Sequence, residues 1–291
     1  MNLAGVTSVT ILYTNCRSIL NKTSELLALA SDTSPDIIAL SETWASEDND
    51  NHQLLPAGSG YSLVSRSDRT DTAGGRGGGV CIMVKSDLAE LTSEVKVSIN
   101  CASTQICAIK VKHIKLYCVY RSPNQVRAND SILCDFLKTV RGDSVLVGDF
   151  NIPNINWQTQ SSLTKSDLVM EFIESIQEAH LEQKVLEPTH QAGNILDLVL
   201  TSDGMIPEDI EVLANQQICD HFPLKMTLNC NLQTPTSTEL IYDIGKGDYE
   251  KYRTLLALPW AALLSTLDVE GMWCVIRDKI ISAFSEVFHK N

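Results

Sequence analysis

Three apolar runs in this sequence border residues that could bind a metal ion or polarise a phosphate. One run, in DIIALSET, ends just before Glu42, and another, in SVLVGDFN, ends at Asp149 and Asn151. In ICDHFPL, Asp220 and His221 stand where an apolar run begins. Short runs bounded by Gly, Pro, Ser or Asp are typical of buried strands. If these strands lie side by side, the five residues share one edge of a sheet, and oxygen ligands with one imidazole suit magnesium-assisted attack on a phosphate ester.

The composition is that of an ordinary globular protein. Its 291 residues are 44% hydrophobic and 20% charged, enough for one large sandwich or two modest domains. The net charge of -13 argues against strong sequence-independent affinity for nucleic acid. Bound divalent cations can nevertheless reverse the sign of the charge at a carboxylate-rich site. The nine cysteines show no C-x-x-C spacing, so we expect reduced thiols and a reducing compartment, nucleus or cytoplasm.

No secretion or membrane signal is visible. The N-terminal segment lacks a basic region and a cleavage site, and its apolar stretch is better explained as the first strand. No window approaches the roughly 18 apolar residues of a membrane span. We therefore expect a protein that is neither secreted nor bound to a membrane.

The spacing of apolar residues over 1–230 predicts many strands and a few interposed helices, which favours an α+β sandwich of two sheets. Asn129 or Asp130 is the expected cap of one helix, and Ser166 or Asp167 that of another. Strands are predicted at 6–13, 61–65, 80–84, 94–99, 105–111, 115–119, 145–147, 195–201, 210–213 and 223–228, and helices at 19–30, 129–140 and 166–179.

The character of the chain changes near residue 231. The segment NLQTPTSTEL is a polar linker, and beyond it apolar residues recur at three- and four-residue steps, so we expect residues 231–291 to form a linker followed by a helical tail. The apolar face of such a tail needs a partner surface. The glycine-rich segment TAGGRGGG lacks the ending of a P-loop, so we expect a mobile hairpin connection there.

Seven segments in order resemble the endonuclease/exonuclease/phosphatase superfamily, which includes DNase I and the apurinic/apyrimidinic endonucleases. The likeness is greatest to the endonuclease domain of non-LTR (LINE-type) retrotransposons of the jockey and chicken-repeat kinds. The segments are YTNCRSILNK, PDIIALSETW, RGGGVCIMVK, VYRSPN, VLVGDFNIPNINW, EPTHQAGNILDLVLT and CDHFPL. The resemblance implies a four-layer α/β/β/α sandwich (DNase I-like) over 1–230. The tail resembles the connector that follows this domain, with the reverse transcriptase absent.

The same resemblance implies which residues of the site bind or lie beside the metal ion. Glu42 is expected to bind Mg²⁺ or Mn²⁺, with Asp220 and Asn15 on the same side. Arg17 falls where some relatives carry an acidic residue, which weakens any argument for a second metal. Cys219 replaces a more usual serine, so activity could be reduced.

The remaining implied roles concern the phosphate and the attacking water. Asp149 would orient or deprotonate the water, and Asn151 would donate hydrogen bonds to the non-bridging oxygens. Asp197 would hold His221, which contacts the phosphate or acts as a base. Tyr120 would reach the phosphate or the leaving oxygen. Two substrate contacts are named in addition: Arg121, which could instead face solvent, and His190 in a loop on the DNA side.

We therefore expect a magnesium-dependent DNA endonuclease that nicks one strand and leaves a 3′-hydroxyl. Two alternatives stay open. One is a phosphodiesterase or phosphatase of the same fold that acts on sugar or lipid phosphates. The other is an inactive remnant that only binds partners, with its tail contacting a polymerase domain or another chain.

Overall fold

The computed structural model describes residues 7–70, 77–99, 101–123, 125–202, 207–230, 248–265 and 267–287. The strands in these residues are β1 Ser8–Asn15, β2 Ile37–Ser41, β3 Tyr61–Ser67, β4 Val80–Lys85, β5 Thr92–Val95, β6 Thr104–Val111, β7 Ile114–Arg121, β8 Ser144–Asp149, β9 Ile155–Asn156, β10 Ser161–Ser162, β11 Leu181–Gln183, β12 Asp197–Ser202, β13 Glu208–Val212 and β14 Leu224–Asn229. The helices are α1 Thr23–Thr33, α2 Asn51–Leu54, α3 Ser86–Ala89, α4 Arg127–Thr139, α5 Asp167–Glu178, α6 Tyr249–Leu256, α7 Trp260–Leu264 and α8 Val269–Val287.

Two six-stranded sheets share one plan. The first has the strand order β13-β14-β1-β2-β4-β3 and the second β11-β12-β8-β7-β6-β5. In each, one central pair is parallel, β1 with β2 and β7 with β8, and every other neighbour is antiparallel. The carboxyl ends of two parallel strands therefore meet at one edge in each sheet.

Apolar alternation along the strands builds the layers. In β1, Ile11 and Tyr13 belong to the buried cluster between the sheets, while Leu12 points the other way and packs with Leu29 of α1. The second sheet is covered on its outer face by apolar residues of α4 and α5. The expected four-layer α/β/β/α arrangement is confirmed.

Gly148 allows β7 and β8 to approach closely. A Cβ atom at this position would lie 2.1 Å from the carbonyl oxygen of Val119, well inside any real contact distance. In the parallel register of these strands, Gly148 lies beside Val119 and Tyr120 beside Asp149 at the strand ends. The glycine of the GDFN segment is thus required by backbone packing beneath the site.

Several element boundaries differ from the sequence expectation. Helix α4 begins at Arg127 with Val126 at the N-cap, so Asn129 and Asp130 lie in its first turn and neither caps it. The strand expected over 94–99 ends at Val95. Ser166 is confirmed as an N-cap, since its hydroxyl accepts from the backbone N–H of Val169.

The first helix starts at Thr23 rather than at residue 19. Arg17 and Ser18 have positive φ angles, and the N–H of Ile19 bonds to the carbonyl of Thr43 in the loop after β2. These residues are tied to the site edge and so stay outside the helix. The expected linker at 231–240 and the start of the strand at residue 6 lie outside the described residues.

The chain divides into two compact units, residues 1–232 and 233–291. In the second unit the ring of Tyr252 in α6 meets the edge of Phe284 in α8, with centroids 6.4 Å apart, and Lys251 pairs with Glu286 at 3.0 Å. The helical character expected of the tail is thus present in its described residues, while its role as a connector stays a prediction. Of the helices described, none is long and apolar enough to cross a bilayer.

Candidate active site at the strand ends

Side chains from both sheets meet at the edge where the central parallel pairs end. Asn15 closes β1 and Asp149 closes β8, and the Asn15 amide donates to Asp149 Oδ2 at 2.9 Å. Asp197 opens β12, and its carboxylate accepts from the hydroxyl of Tyr13 in β1 at 2.9 Å. These contacts bridge the two sheets, so the sandwich itself positions the site.

Asp149 is the buried centre of this edge, with 1% of its surface exposed. Besides Asn15, the Asn151 side chain donates to Asp149 Oδ2 at 2.9 Å, and the Asn151 N–H donates to Oδ1 at 3.1 Å. Burial raises the pKa of Asp149 well above its usual value, and the charge of Asp197 raises it further. The carboxylate is therefore well oriented and more basic than a surface aspartate.

His221 lies between two carboxylates. Its Nδ1 is 2.7 Å from Asp197 Oδ2, and its Nε2 is 3.9 Å from Asp149 Oδ2. Burial acts to lower the pKa of His221, but the hydrogen bond to Asp197 and the charges of Asp197 and Asp149 raise it to about 9. The protonated imidazole is thus the favoured form near neutral pH.

Glu42 and Tyr120 line an open cleft beside this buried group, together with Trp44 and Arg17. Glu42 Oε2 accepts from the indole N–H of Trp44 at 3.0 Å. Burial raises the pKa of Tyr120, and the nearby charges of Glu42 and Asp149 add to the rise. The phenol therefore stays protonated and is able to donate a hydrogen bond.

Asp220 has a different environment on the outer rim. Its Oδ2 lies 2.7 Å from the Arg17 guanidinium and 3.2 Å from His190 Nε2, while its buried Oδ1 has no hydrogen-bond partner among the described residues. Burial acts to raise the pKa of Asp220, but the charge of Arg17, a backbone hydrogen bond, the charge of His221 and the hydrogen bond to His190 together lower it. The ring of His190 meets that of His221 edge-on, at 4.8 Å between centroids.

The backbone is unusual where the strands end. Glu42, Trp44 and Asn151 have φ angles of 53°, 56° and 51°, in the left-handed region that side-chain-bearing residues rarely adopt. Each such residue costs of order 1–3 kcal/mol unless its surroundings hold it. Here the N–H of Trp44 bonds to Gly78 O at 2.9 Å, and the side chain of Asn151 bonds to Arg121 O at 2.8 Å.

The described end of the glycine-rich segment is hydrogen-bonded to the site, and the mobile connection expected over the whole segment stays a prediction. Gly79 N–H bonds to the side chain of Gln105, and its carbonyl accepts from Thr43 in the Glu42 loop. A Cβ at Gly79 would lie 2.3 Å from the Thr43 hydroxyl. Residues 77–79 are therefore fixed against the site, while residues 71–76 lie outside the described part.

Arg121 is the site residue that the structure places differently from both sequence expectations. Its side chain is 3% exposed, its Nε donates to Asp130 at 2.8 Å, and its Nη1 donates to the carbonyls of Phe150 and Asn151. A guanidinium so enclosed neither faces solvent nor reaches a nucleic-acid backbone. It braces the turn that carries Asn151.

The thiol of Cys219 makes two hydrogen bonds to the backbone. It donates to the carbonyl of Asn15 at 3.0 Å and accepts from the N–H of His221 at 3.3 Å. Burial raises the pKa of Cys219 to about 11, so the group stays a neutral thiol. A serine hydroxyl at this position could make the same contacts. The replacement of serine by cysteine is therefore expected to reduce activity less than the sequence alone suggested.

Two buried polar residues at the site were missed by the sequence analysis. Tyr13 contacts Asp197, and the Thr189 hydroxyl accepts from the N–H groups of both Leu196 and Asp197 at 3.0 Å. Tyr13 stands in an apolar strand and Thr189 in a loop, so neither position carries a local signal.

Two groups of residues could hold a cation. The ligand atoms of Asp149, Asp197 and His221 lie within 4.8 Å of one another, as do those of His190, Asp220 and His221. Hard carboxylate oxygens beside the cleft of Glu42 suit Mg²⁺ or Mn²⁺, and the unpartnered Asp220 Oδ1 is a free oxygen donor. The carboxylate oxygens present therefore fit a divalent cation, whereas the imidazole of His221, protonated near neutral pH, would not be one of its ligands.

Comparison with known proteins gives a family match and similar solved structures. The Endonuclease/Exonuclease/phosphatase family matches residues 12–218. A search of curated protein sequences gives no significant match.

Three solved structures illustrate the likeness of fold. AP endonuclease LMAP from Leishmania major is 15% identical with a TM-score of 0.56, covering 77% of this chain and 88% of that one. The 3′ phosphatase NExo from Neisseria, bound to a product DNA hairpin, is 17% identical with a TM-score of 0.57, covering 75% and 98%. The endonuclease domain of TRAS1, a telomere-specific non-LTR retrotransposon, is 13% identical with a TM-score of 0.56, covering 76% and 98%.

Proposed function

The chain belongs to the endonuclease/exonuclease/phosphatase family, and from this premise we propose that it is a divalent-metal-dependent DNA endonuclease that nicks one strand and leaves a 3′-hydroxyl. The observation that carries the proposal is the convergence at one sheet edge of Asp149, Asn151, Asp197 and His221, beside a cleft lined by Glu42 and Tyr120. Members of this family are typically metal-dependent hydrolases of phosphate esters.

In this proposal, different residues contact the attacking water and the phosphate. Asp149, held by three N–H donors, accepts a hydrogen bond from the attacking water and takes its proton. His221, protonated near neutral pH, donates from Nε2 to the phosphate as charge develops. Tyr120 donates from its hydroxyl into the same cleft.

Glu42 is the residue we propose as the main cation ligand, with Asp220 and Asn15 beside it. A bound Mg²⁺ or Mn²⁺ neutralises charge on the phosphate and the departing oxygen. The ion pair between Arg17 and Asp220 favours a single cation, because the guanidinium already supplies a positive charge at that carboxylate.

DNA as substrate and a retrotransposon origin are parts of the same proposal. The seven ordered segments support both, and the likeness to the TRAS1 domain is compatible with them at the level of the fold. A DNA substrate favours activity in the nucleus. The matched residues, 12–218, leave out the tail, so a polymerase or other partner for it has no support from the comparisons.

The test is nicking of supercoiled plasmid by the purified chain with Mg²⁺, with EDTA and Asp149→Asn as controls. We expect open-circle product that needs the cation and Asp149, and nicks that a DNA polymerase extends without prior phosphatase treatment. Release of phosphate from 3′-phosphorylated ends without nicking would instead assign a phosphatase. Activity on a phosphoinositide with none on DNA would overturn the proposed substrate.

A further inference from the structure

A line of buried hydrogen bonds joins the end of β2 to His221. The hydroxyls of Ser41 and Tyr13 are 2.8 Å apart, the Tyr13 hydroxyl is 2.9 Å from Asp197 Oδ1, and Asp197 Oδ2 is 2.7 Å from His221 Nδ1. Ser41, Tyr13 and Asp197 have 0% of their surface exposed, and His221 has 4%. The line begins one residue before Glu42 and ends at the proposed phosphate contact.

The donors along this line have one consistent order. Tyr13 has a single hydroxyl proton, which it donates to the Asp197 carboxylate, so Ser41 must donate to the oxygen of Tyr13. A carboxylate only accepts, so His221 donates its Nδ1–H to Asp197. This order leaves Nε2 as the nitrogen on the side of Asp149, 3.9 Å from its Oδ2.

The hydroxyl of Tyr13 is not needed to fill space. The ring lies in the apolar cluster between the sheets, where a phenylalanine would occupy the same volume. Burying a hydroxyl costs free energy unless it is hydrogen-bonded, which makes its two partners the reason for a tyrosine here.

Asp197 depends on Tyr13 for one of its two oxygens. Thr189 fixes the backbone at the start of β12, and His221 occupies Oδ2. Among the described residues, Tyr13 is the one donor to Oδ1. Without it, among the described residues only the hydrogen bond from His221 to Oδ2 restrains the rotation of the carboxylate.

We propose that Tyr13 is a positioning residue of the hydrolase. Its hydroxyl locks the rotamer of Asp197, which in turn holds His221 with Nε2 directed at the reacting phosphate. This inference rests on the proposed function for its catalytic consequence, but its structural part is independent of the substrate.

The variant that tests it is Tyr13→Phe, which removes only the hydroxyl. Loss of an outer partner of a site residue typically lowers activity about 10–100-fold. We expect a fall of that size in kcat with KM nearly unchanged, since substrate contacts are retained. In the proton NMR spectrum the Nδ1–H resonance of His221, assigned by its loss in His221→Gln, should move upfield or broaden.

Two further variants make the result specific. Ser41→Ala leaves the Tyr13–Asp197 bond in place, so its effects on kcat and on the resonance should be smaller and in the same direction. Tyr117→Phe is the matched control, because Tyr117 is also buried in a central strand but packs against Phe136, away from this line. It should leave both readouts unchanged.

The outcomes separate this inference from the proposed function. A wild-type protein inactive on DNA contradicts the function, while the resonance still decides the role of Tyr13. An unchanged resonance in Tyr13→Phe overturns the inference, whatever happens to kcat. Equal falls in kcat for Tyr13→Phe and Tyr117→Phe overturn it as well, because they indicate general loosening of the core.

Discussion

The ends of β2 and β7 occupy equivalent places in the two sheets, yet their charged residues have opposite surroundings. Glu42, just after β2, lines an open cleft, where its carboxylate accepts from the Trp44 indole and lies beside the Tyr120 hydroxyl. Arg121, at the end of β7, is enclosed and paired with Asp130. Glu42, in the first sheet, is thus accessible to a ligand. Arg121, in the second, instead stabilises the turn that carries Asn151.

A shared strand plan in the two sheets therefore does not imply a shared role for the residues at equivalent strand ends. The first sheet supplies the proposed cation ligand Glu42, and the second supplies the proposed base Asp149 with the amide of Asn151 that follows it. Substitutions at these strand ends should therefore have different effects: some should lower the rate of the reaction and others the free energy of unfolding.

The largest expected effect is on chemistry in the second sheet. Asp149→Asn removes the proposed base, and general-base catalysis typically contributes about 10²–10⁴-fold in rate. We expect the nicking rate at saturating Mg²⁺ to fall by that factor, measured on supercoiled plasmid. Asp167→Asn, at the exposed start of α5, is the control and should keep the wild-type rate. Nicking retained in Asp149→Asn would remove Asp149 from the chemistry.

Arg121 should matter through stability. Arg121→Met leaves the buried Asp130 without its partner, and breaking a buried ion pair by removing one partner costs about 3–5 kcal/mol. Urea unfolding should show a loss of this size in the free energy of unfolding. Arg17→Met is the matched variant, because its ion pair is half-exposed and such pairs contribute only about 0–1 kcal/mol. Equal losses in the two variants would contradict the contrast between the rim and the interior.

Gly148→Ala tests the close approach of β7 and β8. The added methyl group would press on the backbone of Val119, and overpacking of this kind typically costs about 1–3 kcal/mol. We expect a lower free energy of unfolding and reduced nicking, because the register of Tyr120 with Asp149 is disturbed. Gly142→Ala is the control for glycine replacement, since a Cβ there meets no atom within 4 Å, although its positive φ adds some strain. A Gly148→Ala protein with the stability and nicking rate of the wild type would contradict this prediction, because β7 and β8 could then move apart without loss of free energy.

The smallest effect expected is a pH dependence of stability. The folded-state pKa of His221, about 9, lies above its ordinary value of about 6.5, so its pairing stabilises fully below pH 6.5 and is lost as pH rises to about 9. In EDTA, the Tm of wild type should exceed that of His221→Gln by an amount that shrinks over this window. The exposed His52→Gln serves as control. A difference that grows with pH would contradict the assigned charge of the imidazole.

The sequence indicated much of this site because an apolar strand followed by a carboxylate is a local signal. Glu42 and Asp149 were found in this way, and their strands are buried as expected, whereas Asp197, which opens a strand, was assigned by the family resemblance. The burial of Arg121 could not be read locally, because it depends on Asp130 in a helix and on carbonyls of the next strand end.

Tyr13 was missed for the same reason. Its partner Asp197 lies 184 residues away in sequence, and only the packing of the two sheets brings them together. The left-handed backbone at Glu42 and Trp44 has no signal in residue type either, since glycine or asparagine would be the usual choice there.

The central claim is that the first sheet holds the cation and the second performs the proton transfer. Its most direct test is the nicking rate as a function of Mg²⁺ concentration for wild type, Glu42→Gln and Asp149→Asn. We predict that Glu42→Gln raises the Mg²⁺ concentration needed for half-maximal rate, whereas Asp149→Asn lowers the maximal rate and leaves that concentration unchanged. A Glu42→Gln protein with the wild-type Mg²⁺ dependence would contradict the account.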